Sequence, residues 1–145
     1  MNGVPYTWDN NGNLLSDGVN TYIYDQANRL VSVIRAGMTS SYQYNGLGNR
    51  VSETNNGVTT HFTLDLNAGL TQVLADGTNT YVYGIARFGQ FTSTDSAYFL
   101  GDALGSVRQL VDGTGAVMMV KSYELYGEVL NSLGSANSNY GFGGE

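Results

Sequence analysis

The feature that most narrows what this chain can fold into is an internal repeat. Tyr6-Thr7-Trp8-Asp9 leads into Asn10-Asn11-Gly12-Asn13-Leu14, and Tyr22-Ile23-Tyr24-Asp25 leads into Gln26-Ala27-Asn28-Arg29-Leu30. A third copy runs Tyr42-Gln43-Tyr44-Asn45 into Gly46-Leu47-Gly48-Asn49-Arg50-Val51. Looser copies follow at Phe62-Thr63-Leu64-Asp65 and Tyr81-Val82-Tyr83-Gly84, with steps of 16, 20, 20 and 19 residues between Trp8, Tyr24, Tyr44, Leu64 and Tyr83. A periodic chain folds by stacking its units, because no single unit can bury its own apolar face.

Each copy places aromatics at i and i+2, on one face of a strand, then an Asx residue that opens a short turn, then an apolar residue that opens a return strand. The unit is therefore a β-hairpin. Between the copies lie Asp17-Gly18, Asn56-Gly57, Asp76-Gly77 and Asp112-Gly113. Such pairs supply the two positive-φ residues of a type I′ turn, and we expect that geometry at Asn56-Gly57 and Asp76-Gly77.

Composition agrees with strands and turns: Gly 20, Tyr 11 and Pro 1, with 12% of residues charged. No stretch holds a helical apolar period over three turns without a Gly or Asn-Gly break. The expected fold is all-β, a repetitive antiparallel hairpin strip curled into a spiral or open roll. Its aromatics Tyr6, Trp8, Tyr22, Tyr24, Tyr42, Tyr44, Tyr81 and Tyr83 should form one stacked, mostly buried face. Residues 1–97 read as hairpin repeats, 98–131 as a segment continuing the same sheet, and 132–145 as an exposed loop and terminal strand.

The repeat copies resemble the YD repeat of the Rhs, teneurin and insecticidal toxin-complex families. A second likeness is carried by residues 98–128, YFLGDALGSVRQLVDGTGAVMMVKSYELYGE, with Asp102, Gly105, Ser106, Val107 and Arg108 before a turn and Tyr126-Gly127-Glu128 after it. This resembles the stretch that precedes the C-terminal core of Rhs proteins, and Tyr140-Gly141-Phe142-Gly143-Gly144-Glu145 resembles the short element after it. Leu125 departs from the pattern, which usually carries Pro before the Tyr-Gly pair. The resemblance implies a shell segment of an exported protein, extracellular or at the cell surface. The Rhs core, with aspartates implicated in releasing a C-terminal toxin, is absent from this sequence, so the resemblance transfers no cleavage residues.

Catalytic and ligand chemistry finds little support in the residues. Cys is absent, which removes thiol catalysis and cysteine-held metals, and the one histidine, His61, sits in a strand after the Asn56-Gly57 turn with no partner set for a triad or zinc. Asp9-Asn10-Asn11-Gly12-Asn13 has oxygens at alternate positions, but its Gly and twelfth position do not match a calcium loop. Gly105-Ser106 lacks both the phosphate-loop Lys and the nucleophile elbow, and Gly101 and Gly105 read as turn residues. Glu124 and Glu128 are spaced four apart and face solvent by default, so a glycosidase pair is disfavoured. No cofactor and no metal are expected.

A net charge of -6 has the wrong sign for gripping a phosphate backbone, so nucleic acid is not an expected partner. The N-terminal residues have neither the basic region nor the apolar run of a secretory signal, and no stretch reaches membrane-spanning length. We therefore expect a non-enzymatic structural segment that pairs with the rest of a shell or with further copies of itself, head to tail between the unlike ends Val4 to Trp8 and Tyr140 to Phe142. The alternative is a carbohydrate-binding surface that stacks exposed aromatics on sugar rings.

Overall fold

The computed structural model describes residues 5–144. Val4, named above as part of one end, and Glu145 lie outside the described residues. The chain is all-β, with strands in two antiparallel sheets of seven and eight, each in sequence order and neither closed. It divides into two compact units, one up to Gly77 and one from Thr78.

In the first unit, seven strands form a meander: β1 (Thr7–Trp8), β2 (Leu14–Ser16), β3 (Asn20–Tyr24), β4 (Leu30–Arg35), β5 (Met38–Tyr44), β6 (Arg50–Asn55) and β7 (Val58–His61). The hairpin β8 (Thr63–Asp65) and β9 (Gln72–Ala75) follows. The second unit contains β10 (Thr80–Tyr83), β11 (Arg87–Phe91), β12 (Ser96–Gly101), β13 (Val107–Val111), β14 (Val117–Tyr123) and β15 (Val129–Gly134). Every strand in it pairs with its sequence neighbour in antiparallel register.

One turn recurs at Asp9, Asp25, Asn45, Asp102, Asp112 and Glu124. In each, the N–H of the first residue donates to the carbonyl four residues on, at 2.8–3.0 Å, as in Asp9 to Asn13 (2.9 Å) and Glu124 to Glu128 (2.8 Å). The fourth residue donates back to the first, and it has positive φ: Gly12, Asn28, Gly48, Gly105, Gly115 and Gly127. A type I turn followed by a left-handed residue makes a three-residue hairpin loop with a bulge, and the register does shift just before each turn.

The Asx signature follows from this geometry. The Oδ1 of Asp9 accepts the amides of Asn11 (2.9 Å) and Asn13 (2.8 Å), and that of Asp102 accepts those of Leu104 and Ser106, both at 3.0 Å. Asp25, Asn45 and Asp112 do the same for the residues two and four further on. Residues 102–106, set apart by sequence as a separate motif, adopt the same turn as the first repeat.

The two-residue turns divide. Asn56 (φ 50) and Gly57 (φ 87) form the expected type I′ turn, with Asn55 and Val58 paired across it. The expectation fails at Asp76-Gly77, where only Gly77 has positive φ (81), because residues 76–79 separate the strands and a two-residue loop does not form. At Asp112-Gly113 the positive φ falls on Gly115, since Asp112 opens the three-residue loop. A second type I′ turn, Ala36 (φ 47) with Gly37 (φ 82), joins β4 to β5 and carries no Asx.

The core lies in the second unit. Ala97, Val107, Leu110 and Met119 are buried, and Phe99, Met118, Ala136 and Tyr140 pack against them. Residues 132–139 depart from an exposed loop. Ser132, Leu133 and Gly134 extend β15, and Ala136 is packed on the core. Residues 140–144 form no terminal strand but a strap that ends in a short turn, Phe142–Gly144.

Candidate functional site

Within the first unit the paired tyrosines share one face of their strands. Tyr22, Tyr24, Tyr42 and Tyr44 are half-buried while the intervening Ile23 and Gln43 are exposed. Tyr6 and Trp8, placed by sequence in a buried stack, are instead 62% and 58% exposed, since β1 is the edge of its sheet. In the second unit Tyr81 is buried and Tyr83 half-buried, with Val82 exposed between them.

Arginines complete the tyrosine rows, a feature the aromatic pattern alone does not reveal. The Arg29 guanidinium lies 5.0 Å from the Tyr44 ring centroid, donates to the Asn45 carbonyl (3.2 Å) and pairs with Asp25 (2.7 Å). The Tyr44 hydroxyl donates to the Leu30 carbonyl at 2.7 Å, the first residue after the Asp25 turn. The second unit repeats this arrangement: Tyr123 donates to the carbonyl of Val107 (2.8 Å), the first residue after the Asp102 turn, and Arg108 lies 5.7 Å from its ring. Each such tyrosine satisfies a carbonyl beside a bulge and so joins consecutive hairpins. Arg50 lies over Tyr42 (5.3 Å) and Phe62 (5.5 Å). Beside it, Asn49, Leu64, Thr71 and Val73 line a small open recess.

The densest constellation is in the second unit. Arg87 stacks on Tyr140 with 3.1 Å from guanidinium carbon to ring centroid, donates to the Tyr83 hydroxyl (3.1 Å) and donates to the Gly144 carbonyl (2.9 Å). Tyr140 meets Tyr81 edge to face at 4.9 Å and Phe99 at 6.3 Å. Ser106, fully buried, accepts the Gly143 amide on its Oγ (3.1 Å), and Val107 donates its amide to Gly141 (2.8 Å). Phe142 packs on Tyr123 at 5.8 Å and against Gly127, where a Cβ would approach its ring to 2.9 Å. Gly105, Ser106 and Gly127 thus meet the strap, Asp102 and Arg108 lie behind them 4.0 Å apart with Arg108 over Tyr123, and Tyr126 is 96% exposed and joins nothing in this cluster.

The titrating groups are turn carboxylates. Hydrogen bonds from the Asn13 side chain and amide hold Asp9 below the ordinary carboxylate value, the Arg29 amide and side chain do so for Asp25, and the Thr114 hydroxyl and amide for Asp112. Burial pushes Asp102 up, but the amides of Ser106 and Leu104 outweigh it and its pKa is lowered. Asp17 is strongly depressed by the Asn20 amide and side chain and by the Tyr22 hydroxyl. Hydrogen bonding to Asp17 raises Tyr22, and burial raises Tyr123. Asp9 serves the turn amides, among the described residues no group of three acidic or histidine side chains could hold a metal, and His61 is exposed in β7. Glu124 and Glu128 flank a hairpin turn and are exposed.

Residues 24–59 match the RHS repeat family. The chain carries an RHS repeat. Over 137 residues it is 31% identical to the tRNA3(Ser)-specific nuclease WapA of Bacillus spizizenii and to the tRNA nuclease WapA of Bacillus subtilis strain 168. It is 32% identical to the tRNA(Glu)-specific nuclease WapA of Bacillus subtilis subsp. natto. In each case the match covers 88% of this chain and 6% of the relative, so the chain spans a small fraction of these proteins. Their names overturn the expectation of a non-enzymatic protein, which rested on the lack of a catalytic cluster in this RHS-repeat segment.

Proposed function

We propose that this RHS-repeat chain is a scaffold segment of a larger exported tRNA nuclease, a hairpin wall that carries or encloses the part of the protein that acts on tRNA. The observation that carries the reading is the recurrence of one turn six times, at Asp9, Asp25, Asn45, Asp102, Asp112 and Glu124, with tyrosine hydroxyls tying successive hairpins. Such nearest-neighbour ties suit a wall built by stacking. The names of the relatives bring in tRNA, the partner that the acidic composition argued against. A surface or secreted location goes with this reading, and no helix among the described residues is long and apolar enough to cross a membrane.

The test is a double substitution, Asp25→Ala with Arg29→Ala, in the protein that carries this chain. A scaffold role predicts less protease-resistant protein and unchanged tRNA cleavage per folded molecule. Loss of cleavage with protease resistance intact would put these residues in the reaction and end the scaffold reading. A second reading, glycan stacking, is favoured by the exposure of Trp8 on the edge strand and of Tyr6 just before it. Quenching of Trp8 fluorescence by soluble chitin or cellulose oligosaccharides would support it, and unchanged emission would remove it.

A further inference from the structure

The strap and the surface beneath it are matched point by point. On the strap, Tyr140 presents a ring, Gly141 a carbonyl, Phe142 a second ring, Gly143 an amide and Gly144 a carbonyl. On the sheet, a slot between Tyr81, Phe99 and Arg87 takes the first ring, the Val107 amide takes the Gly141 carbonyl, and Tyr123 with Gly127 takes the second ring. Ser106 Oγ takes the Gly143 amide and Arg87 takes the Gly144 carbonyl.

Small residues are required where backbones cross. A Cβ on Gly144 would stand 3.2 Å from the Gly105 carbonyl, and one on Gly127 would reach the Phe142 ring at 2.9 Å. Gly127 and Gly105 also need positive φ, at 89 and 84. Ser106 is buried, its amide donates to Asp102, and its Oγ accepts the Gly143 amide of the strap. The turn could form with other residues in these places, as it does at Asp112, where Ala116 stands in the position of Ser106.

We propose that this surface of the second unit is a peptide-recognition site for an aromatic-Gly-aromatic-Gly-Gly segment, filled here by residues 140–144 of the same chain. Residues 102–108 keep the fold's common turn and add to it the groups that read the segment. Recognition combines ring slots with backbone hydrogen bonds, the combination by which peptides are captured on sheets. Tethering keeps the site filled, since a linked ligand is present at an effective concentration far above that of a free one. The inference concerns the second unit alone and stands whatever the protein's wider activity.

The experiment uses the full chain carrying Tyr140→Ala, which removes the anchoring ring and frees the site. A fluorescein-labelled peptide with the sequence of residues 138–145 is titrated and followed by anisotropy. The proposal predicts binding at least tenfold tighter to Y140A than to the wild-type chain, whose site is filled, and loss of that binding when the peptide's tyrosine or Arg87 is replaced by Ala. Equal or absent binding to a Y140A chain with wild-type circular dichroism overturns it. Should Y140A not fold, chymotrypsin on the Arg87→Gln chain decides. Cleavage after Tyr140 at least tenfold faster than in wild type supports the site, and an unchanged rate overturns it.

Discussion

The two units are built from the same turn, yet they differ in what they bury. In the first, Asp9, Asp25 and Asn45 open three copies, and the tyrosines beside Asp25 and Asn45 remain half-buried. Among its described residues only Ser52 and Asp76 are buried, and both are polar. In the second, Asp102, Asp112 and Glu124 open three copies, and Tyr81, Ala97, Val107, Leu110 and Met119 are all buried. The difference is the cover. Residues 136–144 lie back across the sheet of the second unit, contributing Ala136 and Tyr140 to its core. A hairpin strip sets strand spacing and register by itself, but one layer leaves its aromatic face half wet, and a core appears where a second layer arrives.

The sharpest way to break this comparison is to cut into the covered core. Leu110→Ala removes a fully buried side chain in the second unit and should cost roughly 2–5 kcal/mol, read by urea denaturation. Tyr42→Ala, at a half-buried site in the first unit, should cost clearly less. Equal losses would mean that the uncovered face carries as much packing as the covered one.

Glycine turns sharpen it next. Gly57→Val forces a β-branched residue to positive φ in an open turn and should cost about 1–3 kcal/mol. Gly105→Val meets the same strain and also sets its γ methyls beside the strap, since a Cβ there is already in ordinary contact with Gly143 O at 3.7 Å. Its midpoint should fall further than that of G57V. A smaller loss at Gly105 would show that the strap is not seated on this turn.

Hydroxyl deletion should not distinguish the units. Tyr44→Phe and Tyr123→Phe each remove one hydrogen bond to a carbonyl, so each should lower stability by about 0.5–1.5 kcal/mol in chemical denaturation. A loss at one position and none at the other would separate two ties that the geometry makes equivalent.

Acid should have the smallest effect, spread over both units. Asp9, Asp17, Asp25, Asp102 and Asp112 have folded pKa values below their ordinary ones. Their contribution is complete above the unfolded carboxylate value, about 4, and is lost as pH falls through the lower folded values. Melting temperature should therefore hold from pH 7 to about 5 and decline progressively below about 4. Asp9→Asn should keep its turn and lose its share of the decline, because Asn45 already serves the same amides through a neutral oxygen. A flat profile down to pH 2 would remove the turn carboxylates from the account.

Much of this architecture was legible in the sequence, for a local reason. Asx at the first turn position and Gly or Asn at the fourth are favoured by hydrogen bonds and positive φ within five residues, so the copies at Asp9, Asp25 and Asn45 share a local signature. What failed was longer in range or chemically disguised. Ala36 adopts positive φ with no Asx to mark it. Glu124 opens a turn without an Asx side chain, and the neutral tail Ser135 to Gly144 resembles a loop until its partners Arg87, Ser106 and Val107 are seen. Tyr6 and Trp8 carry the repeat's letters but lie at a sheet edge, which no local pattern reports.

The central claim is that cover, not repetition, makes the core, and hydrogen exchange on the intact chain followed by mass spectrometry tests it most directly. Strands β3, β4 and β5, like β12, β13 and β14, each have a paired neighbour on both sides, so pairing alone predicts similar protection. The account predicts slowest exchange in β12, β13 and β14, at least tenfold slower than in β3, β4 and β5, because opening the covered strands must expose Leu110 and Met119. Equal protection across the two sets, or slower exchange in the first unit, would contradict it.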